Sequence, residues 1–336
     1  MVPYTFIENE RVASIPTMDK SFPMMVGRPN RQTRKGPAAA EFEAANVLPA
    51  LERRAMDIIC TRAEAAKNGH PFFLYLPLNA PHTPIAPTPE WQGKSGLNPY
   101  ADFVMQVDAT VGAVLDALEE NGLADNTLVI FTSDNGCAPE AKFDELAARG
   151  HDPSGPYRGH KADIFDGGHR VPFLVRWPAQ VAAGTSSDQL ICLTDLFATL
   201  ADILDETLPD KVAEDSVSIL PALEGRASKP LREAVVHHSI DGSFAIRQGQ
   251  WKLELCPDSG GWSAPRPGSK AARELPPVQL YDLAADPGEQ TNVQDQHPEI
   301  VSRLTRLLEV YVADGRSTPG APQKNTTPVT IARTSQ

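Results

Sequence analysis

Asp134 and Asn135, followed by Gly136, place two neighbouring oxygen donors directly after an apolar run. Such a pair can turn toward one hard cation, the carboxylate supplying charge and the amide a neutral carbonyl oxygen. An Asx turn closing the run is the competing reading, and Asp-Asn-Gly by itself favours it. His82 lies in Asn79-Ala80-Pro81-His82-Thr83-Pro84, where prolines restrict the backbone. An imidazole held there can donate to an anion or protonate a leaving alkoxide; a loop histidine bonded to a nearby carbonyl is the plainer alternative. From Tyr157 to Pro172, Arg158, His160, Lys161, His169 and Arg170 crowd among three glycines ahead of another apolar run. Lys161 offers a compact positive charge to a tetrahedral oxyanion, while Arg158 and Arg170 suit structural ion pairs equally well. Asp195, in Leu193-Thr194-Asp195-Leu196, stands at a helix start and reads as a cap without chemistry.

These residues need elements to position them. Pro71 to Pro77 is a short apolar run bounded by prolines and reads as a buried strand, with a proline-rich loop to Pro89 carrying His82. From Tyr100 to Glu120, Phe103, Val104, Val107, Val111, Val114, Leu115 and Leu118 share one helical face, and Asn121-Gly122 stops the helix. Thr127 to Thr132 is a β-branched run ending at Ser133-Asp134-Asn135, Val171 to Trp177 is another apolar strand, and Leu193 to Leu204 another helix. Strand, helix, strand with all-apolar strands predicts an α/β fold, a mostly parallel central sheet flanked by helices. Open sheets of this kind bind ligands at the carboxyl ends of their strands, so the loops with His82, Asp134 and Lys161 are candidates for one crevice. Ahead of this, Thr5 to Lys35 shows little periodicity and reads as irregular. Ala38 to Asn68 is helix-forming but interrupted by Pro49, which predicts two helices or a kink.

After Gly225 the pattern changes. Short strands over 234–240, 243–247, 250–255 and 279–283, then a helix over 298–312, predict a small antiparallel sheet with one helix packed on it. The expected organisation is a catalytic α/β domain over 1–225, a smaller α+β subdomain over 226–316 and a polar tail over 317–336.

Composition narrows the partners. A formal charge of −12 argues against nucleic acid, and no apolar run approaches the length of a membrane span. A local cation or metal can still hold an anion in a net-negative chain. Cys60, Cys137, Cys192 and Cys256 have no CxxC spacing and carry no zinc or redox signature. Met1-Val2-Pro3-Tyr4 does not open a signal peptide, and compartment and oligomeric state stay open.

Taken in order, "PFFLYLPLNAPHTP", "YADFVMQVDATVGAVLDALEENGLADNTLVIFTSDNG", "YRGHKADIFDGGHRVPFLVRWP", "LTDLFATLADIL", "FAIRQGQWKLE" and "QLYDLAADPGEQTNV" resemble the sulfatase family, the arylsulfatase-like branch of the alkaline phosphatase superfamily. The resemblance runs from about residue 70 to 293. It implies an alkaline phosphatase-like fold and hydrolysis of an alkyl or aryl sulfate ester, with a sulfated carbohydrate as substrate. Asp134 and Asn135 match half of the ligands of one calcium ion (Ca2+), and His82 and Lys161 match the pair that grips the sulfate, His82 being preferred for proton delivery. His151 and His160 are expected at the edge of the cleft. Such enzymes are usually exported or lysosomal.

The family's nucleophile is a formylglycine made from Cys or Ser in a C/S-x-P/A-x-R motif. Cys137-Ala138-Pro139-Glu140-Ala141 lacks the arginine, Ser263-Ala264-Pro265-Arg266 has it one place early, and Cys60-Thr61-Arg62 lacks the third-position residue. The early Asp-Asp metal pair is also not found. The expectation is an N-terminally truncated sulfatase, inactive alone, whose formylglycine lies in a missing segment. A catalytically inactive sulfate-binding remnant and a phosphodiesterase or phosphonate hydrolase of the same superfamily are the alternatives. The last would use zinc, whereas an Asp-Asn pair suits a hard cation better than a softer one.

Overall fold

Local signals place the helices of the N-terminal half. Asn98 Oδ1 accepts from Ala101 N at 3.1 Å and Pro99 takes the first helical position, so the second helix starts where capping chemistry dictates. The computed structural model describes residues 2–331 and divides into two compact units, 1–127 with 140–152, and 128–139 with 153–336.

In the first unit the segment expected to be irregular forms six short strands: β1 (Ile7–Glu8), β2 (Arg11–Val12), β3 (Met18–Lys20), β4 (Pro23–Met25), β5 (Arg28–Gln32) and β6 (Gly36–Ala38). They pair antiparallel as β1–β2, β4–β5 and β3–β6. Strands of two to five residues are too short to show periodicity, and a cluster of Tyr4, Phe22, Ala38 and Ala44 holds them. Helix α1 (Val47–Lys67) is continuous, because Pro49 falls in its first turn, where an N–H has no acceptor within the helix. It packs on α2 (Pro99–Glu120), with Leu48, Ala55 and Ile59 buried on one helix and Phe103, Val107 and Leu118 on the other. A short α3 (Phe143–Ala147) follows. Residues 71–77 form no strand ladder among the described residues; Phe73 and Tyr75 are each 76% exposed, against the expectation of a buried strand. Apolar composition makes a strand only where a neighbour supplies hydrogen bonds.

In the second unit β7 (Val129–Thr132) pairs antiparallel with β8 (Phe173–Arg176); the parallel neighbours expected for it are not among the pairs formed by the described residues. Between them lies α4 (Asp166–His169), and α5 (Asp195–Ile203) and α6 (Leu220–Leu223) follow. The expected C-terminal sheet is present as β9 (Val235–His238), β10 (Phe244–Gln248), β11 (Trp251–Glu254) and β12 (Gln279–Asp282), antiparallel in the order β12-β11-β10-β9. Between β11 and β12 runs α7 (Lys270–Arg273), and α8 (Pro298–Asp314) packs Leu304 and Leu308 onto Ile246, Leu253 and Leu280 of the sheet. Of the expected tail, residues 332–336 lie outside the described residues, while Ser317 and Thr318 donate to Glu214 O at 3.3 and 3.2 Å.

Asp195 is more than a cap. It is the first residue of α5, fully buried, accepts from Cys192 N and Val217 N at 2.7 and 2.9 Å, and meets Arg232 Nη1 with both oxygens at 2.9 Å. A buried ion pair from 37 residues away has no local sequence signal.

Candidate functional site

Strand β7 ends at Thr132, and the turn beyond it is closed by Ser133, whose hydroxyl donates to Asn135 O at 3.0 Å. Asn135 Nδ2 donates to Gly136 O at 3.0 Å, leaving its Oδ1 available. The exposed carboxylate of Asp134 accepts no hydrogen bond among the described residues. The geometry is therefore not the Asx turn in which Asp134 would bond its own backbone, and two oxygen donors stand uncommitted at a strand end.

This turn is packed against the Tyr157–Pro172 loop through glycines. Gly136 N donates to Gly168 O at 3.0 Å, and Lys161 N donates to Cys137 O at 2.9 Å. A Cβ on Gly136 would overlap the Gly167 carbonyl oxygen and stand 2.9 Å from its carbon; one on Gly168 would come within 2.7 Å of Asp163 O and 2.8 Å of His160 O. Side chains at these positions would push the two loops apart. Asp134, Asn135 and Lys161 are thus brought onto adjoining loops of one unit. The Lys161 ammonium, half-buried, has no hydrogen bond or ion pair among the described residues. Ala162, next in the chain, is held at φ +82°, a conformation that costs a side-chain-bearing residue about 1–3 kcal/mol and persists only where the surroundings impose it.

Those surroundings were not legible as chemistry in the sequence. Asp163, fully buried, accepts from His160 N at 2.9 Å, Trp262 N at 2.7 Å and Ser263 N at 3.0 Å, clamping the turn that carries Lys161. Lys252, also fully buried, spends its three donors on Ile164 O at 2.9 Å, Asp166 Oδ1 at 2.9 Å and Glu289 Oε1 at 2.6 Å. Burial alone would raise the Asp166 carboxyl, but Lys252, with Arg247 and Arg170 near, more than offsets it and holds it below the usual range. Glu254 stands 3.2 Å from Lys252 Nζ with neither of its oxygens hydrogen-bonded among the described residues, and burial pushes its carboxyl well up against the opposing pull of Lys252. Arg158 is structural: it donates to Glu289 O at 2.8 Å and Tyr281 Oη at 3.2 Å and lies 3.8 Å over the Phe165 ring. His160 Nδ1 lies 3.0 Å from Lys161 O and 3.5 Å from Asp163 Oδ2. His169 and His237 stack with centroids 4.6 Å apart; burial lowers both, His169 to about 4 and His237 well below its ordinary value, so both rings are neutral at pH 7. Lys252, Glu254 and Glu289 do fall inside "FAIRQGQWKLE" and "QLYDLAADPGEQTNV", the signal that could have drawn attention to them.

His82 and His151 belong to the other unit. His82 is exposed between the cis peptides Ala80–Pro81 and Thr83–Pro84, its Nδ1 2.8 Å from Thr83 O. A carbonyl only accepts, so Nδ1 carries hydrogen and Nε2 is left as the exchangeable position of the neutral ring. His151 is exposed just beyond α3, its backbone N donating to Leu146 O at 3.1 Å.

As a cation site, Asp134 and Asn135 supply hard oxygen donors of the type calcium prefers, two of the six to eight it takes. Among the described residues, no three or more His, Cys, Asp or Glu side chains are grouped to hold a metal, and no helix is long and apolar enough to cross a membrane. The donor chemistry fits; the number is incomplete.

Comparison with known proteins adds the wider frame. The sulfatase family profile matches residues 7–206, and that of the N-sulphoglucosamine sulphohydrolase C-terminal region matches 160–254. An N-acetylgalactosamine-6-O-sulfatase of Bacteroides thetaiotaomicron is 39% identical over 262 residues, covering 75% of this chain and 50% of that protein. Human arylsulfatase A is 34% identical over 278 residues, covering 77% and 52%. The chain thus spans about half the length of the curated relatives it matches. A structure from work on glycosaminoglycan metabolism by Bacteroides thetaiotaomicron superposes with a TM-score of 0.76 at 32% identity, covering 92% of this chain and 69% of that one. The fold is that of sulfatases of the alkaline phosphatase-like class, as expected.

Proposed function

Because the chain belongs to the sulfatase family, we propose that it carries part of the machinery of a sulfuric ester hydrolase acting on a sulfated carbohydrate. The observation that carries this reading is the glycine-packed junction that sets the uncommitted donors of Asp134 and Asn135 on a loop bonded to that of the uncommitted Lys161. In this reading Asp134 and Asn135 hold a calcium ion, completed by further ligands. Bound there, calcium would polarise the sulfate oxygens as a Lewis acid. Lys161 balances negative charge developing on the sulfate in the transition state. His82 delivers the proton to the leaving alcohol, a role that needs its imidazolium form. His151 and His160 contact the carbohydrate. An N-acetylgalactosamine 6-sulfate is the first substrate to try, from the name of the bacterial relative.

The C/S-x-P/A-x-R pattern occurs at Ser154, Ser228, Ser243 and Ser269, but Ser154 Oγ donates to Gly159 O, Ser243 is buried against Asp241, Ser269 caps α7 and Ser228 lies on the exposed stretch after α6. In this reading none of these serines is the nucleophile: the formylglycine is assigned to polypeptide outside these residues, and the 336 residues alone are expected to bind calcium weakly and turn over almost nothing. A catalytically inactive sulfate-binding protein is the second reading, favoured by the engagement of Ser154, Ser243 and Ser269 in structural hydrogen bonds.

The test is to read the gene in frame upstream of codon 1, express the extended product and assay sulfate release alongside K161A and D134A. The reading expects an upstream C/S-x-P/A-x-R motif and loss of two or more orders of magnitude in each variant. An in-frame stop directly before codon 1, with retained sulfate binding that K161A removes, would establish the second reading. An extended product as active with K161A as without would sink the assignment of Lys161.

A further inference from the structure

Between Asp19 and Glu41 the chain carries Lys20, Arg28, Arg31, Arg34 and Lys35 and no acid, inside a sequence of formal charge −12. Two of these cations are engaged within their own unit. Lys20 Nζ lies 2.9 Å from Glu43, and Arg28 forms a two-point pair with Glu145 at 2.7 and 2.5 Å. Arg31, Arg34 and Lys35 are exposed, and their side chains meet no acceptor or carboxylate among the described residues.

Their backbone is tied down. Strand β5 pairs with β4, Thr33 N donates to Phe22 O at 2.8 Å, and Thr33 Oγ1 accepts from Phe22 N at 3.0 Å. The Tyr4 hydroxyl lies 2.8 Å from Thr33 Oγ1 and donates to Arg34 O at 2.5 Å. Tyr4 and Phe22 are themselves buried with Ala38 and Ala44. Arg31 lies in β5, and Arg34 and Lys35 follow within four residues on the stretch that these bonds pin. Cations on a fixed backbone lose less freedom on binding than cations on a loose loop. They also face solvent as a local positive field on a negative protein, the condition that draws in a polyanion. Two guanidinium groups favour oxyanions that take two parallel hydrogen bonds, as sulfate does.

We propose that Arg31, Arg34 and Lys35 form a binding surface for a sulfated polysaccharide chain, engaging sulfate groups other than the one hydrolysed. The proposal rests on a carbohydrate sulfate being the substrate and extends it from a single sulfated sugar to a polymer carrying several.

The test measures binding of polymeric chondroitin sulfate to the full chain as salt is raised, for the wild type, a triple R31A/R34A/K35A variant and a charge-conserving R31K/R34K variant. All three positions are exposed, and thermal unfolding confirms that each variant folds. The triple variant is expected to lose affinity on the order of tenfold or more at low salt and to show a shallower salt dependence, because fewer counterions are released on binding. The lysine variant is expected to keep most of the affinity. Unchanged affinity and salt slope in the triple variant overturn the proposal, as does tighter binding to single-stranded DNA than to chondroitin sulfate. Since the readout is binding, a failure to release sulfate in the hydrolysis assay refutes the enzymatic reading without touching this result.

Discussion

Replacing Lys252 with methionine keeps the length and apolar stem of the side chain and removes only the ammonium. In the native chain that ammonium makes three hydrogen bonds, to Ile164 O, Asp166 and Glu289, at 2.9, 2.9 and 2.6 Å, in a place with no solvent exposure. Lys252→Met leaves the buried Glu289 carboxyl without this cation, beside Glu254, and Asp166 with only the more distant Arg247 and Arg170, at 3.7 and 3.9 Å. Breaking a buried pair by removing one member costs about 3–5 kcal/mol, because the remaining charge is uncompensated. The pH dependence gives a sharper check. In the wild type Asp166 titrates below its ordinary value, so its contribution is present above the unfolded pKa and is lost as pH falls through the folded one. In the variant burial acts on Asp166 without its largest opposing cause, so its carboxyl titrates higher than in the wild type and the folded state gains less stability as pH rises. The difference in unfolding free energy between wild type and variant, read from urea denaturation, is therefore expected to be largest near pH 8 and to shrink toward pH 5. A loss below about 1 kcal/mol, or a difference that does not vary with pH, would refute the account of this cluster as a charge-balanced anchor for the loop of Lys161.

Three further outcomes can be measured. Gly136→Ala places a Cβ against the Gly167 carbonyl, a backbone group that cannot rotate away; calorimetry should show a loss of about 1–3 kcal/mol, and unchanged stability would argue against the glycine junction as the device that holds the two loops together. Gly112→Ala, inside α2 with no heavy atom within 4 Å of the new Cβ, should instead raise stability by about 0.5–1 kcal/mol in the same assay. Acidification should act through the buried histidines. His169 titrates at about 4, lowered by burial and then by Lys252 against the opposing Asp166, while His237 faces His169, Lys252, Arg247 and His238. Unfolded imidazoles take up protons first, so stability should fall as pH drops from about 6.5 toward 4, by about 3 kcal/mol for His169 alone. A His169→Gln variant whose stability falls just as steeply over that range would remove His169 from the explanation.

What the sequence determined by itself was everything whose cause is local. The Asn98 cap and Pro99 start α2 and Asn121-Gly122 ends it, and the short strands and last helix after Gly225 appear where turn residues and periodicity place them. The resemblance carried by six ordered motifs also pointed to the family that the wider comparison shows. Tertiary structure decided what depends on neighbours distant in sequence. Pro71–Pro77 has a strand's composition, yet with no ladder formed among the described residues Phe73 and Tyr75 face solvent. Asp195 looked like a cap and became the buried partner of Arg232. Lys252, a residue type that is ordinarily solvated, lies among Ile164, Asp166 and Glu289, which are separated from it by 88, 86 and 37 positions. The approach of the Asp134 turn to the Lys161 loop likewise required glycines at 136, 167 and 168 to meet backbone to backbone. Periodicity and propensity report on a residue's own turn or strand, whereas charge compensation and backbone contact are set by whichever group the fold brings within hydrogen-bonding distance.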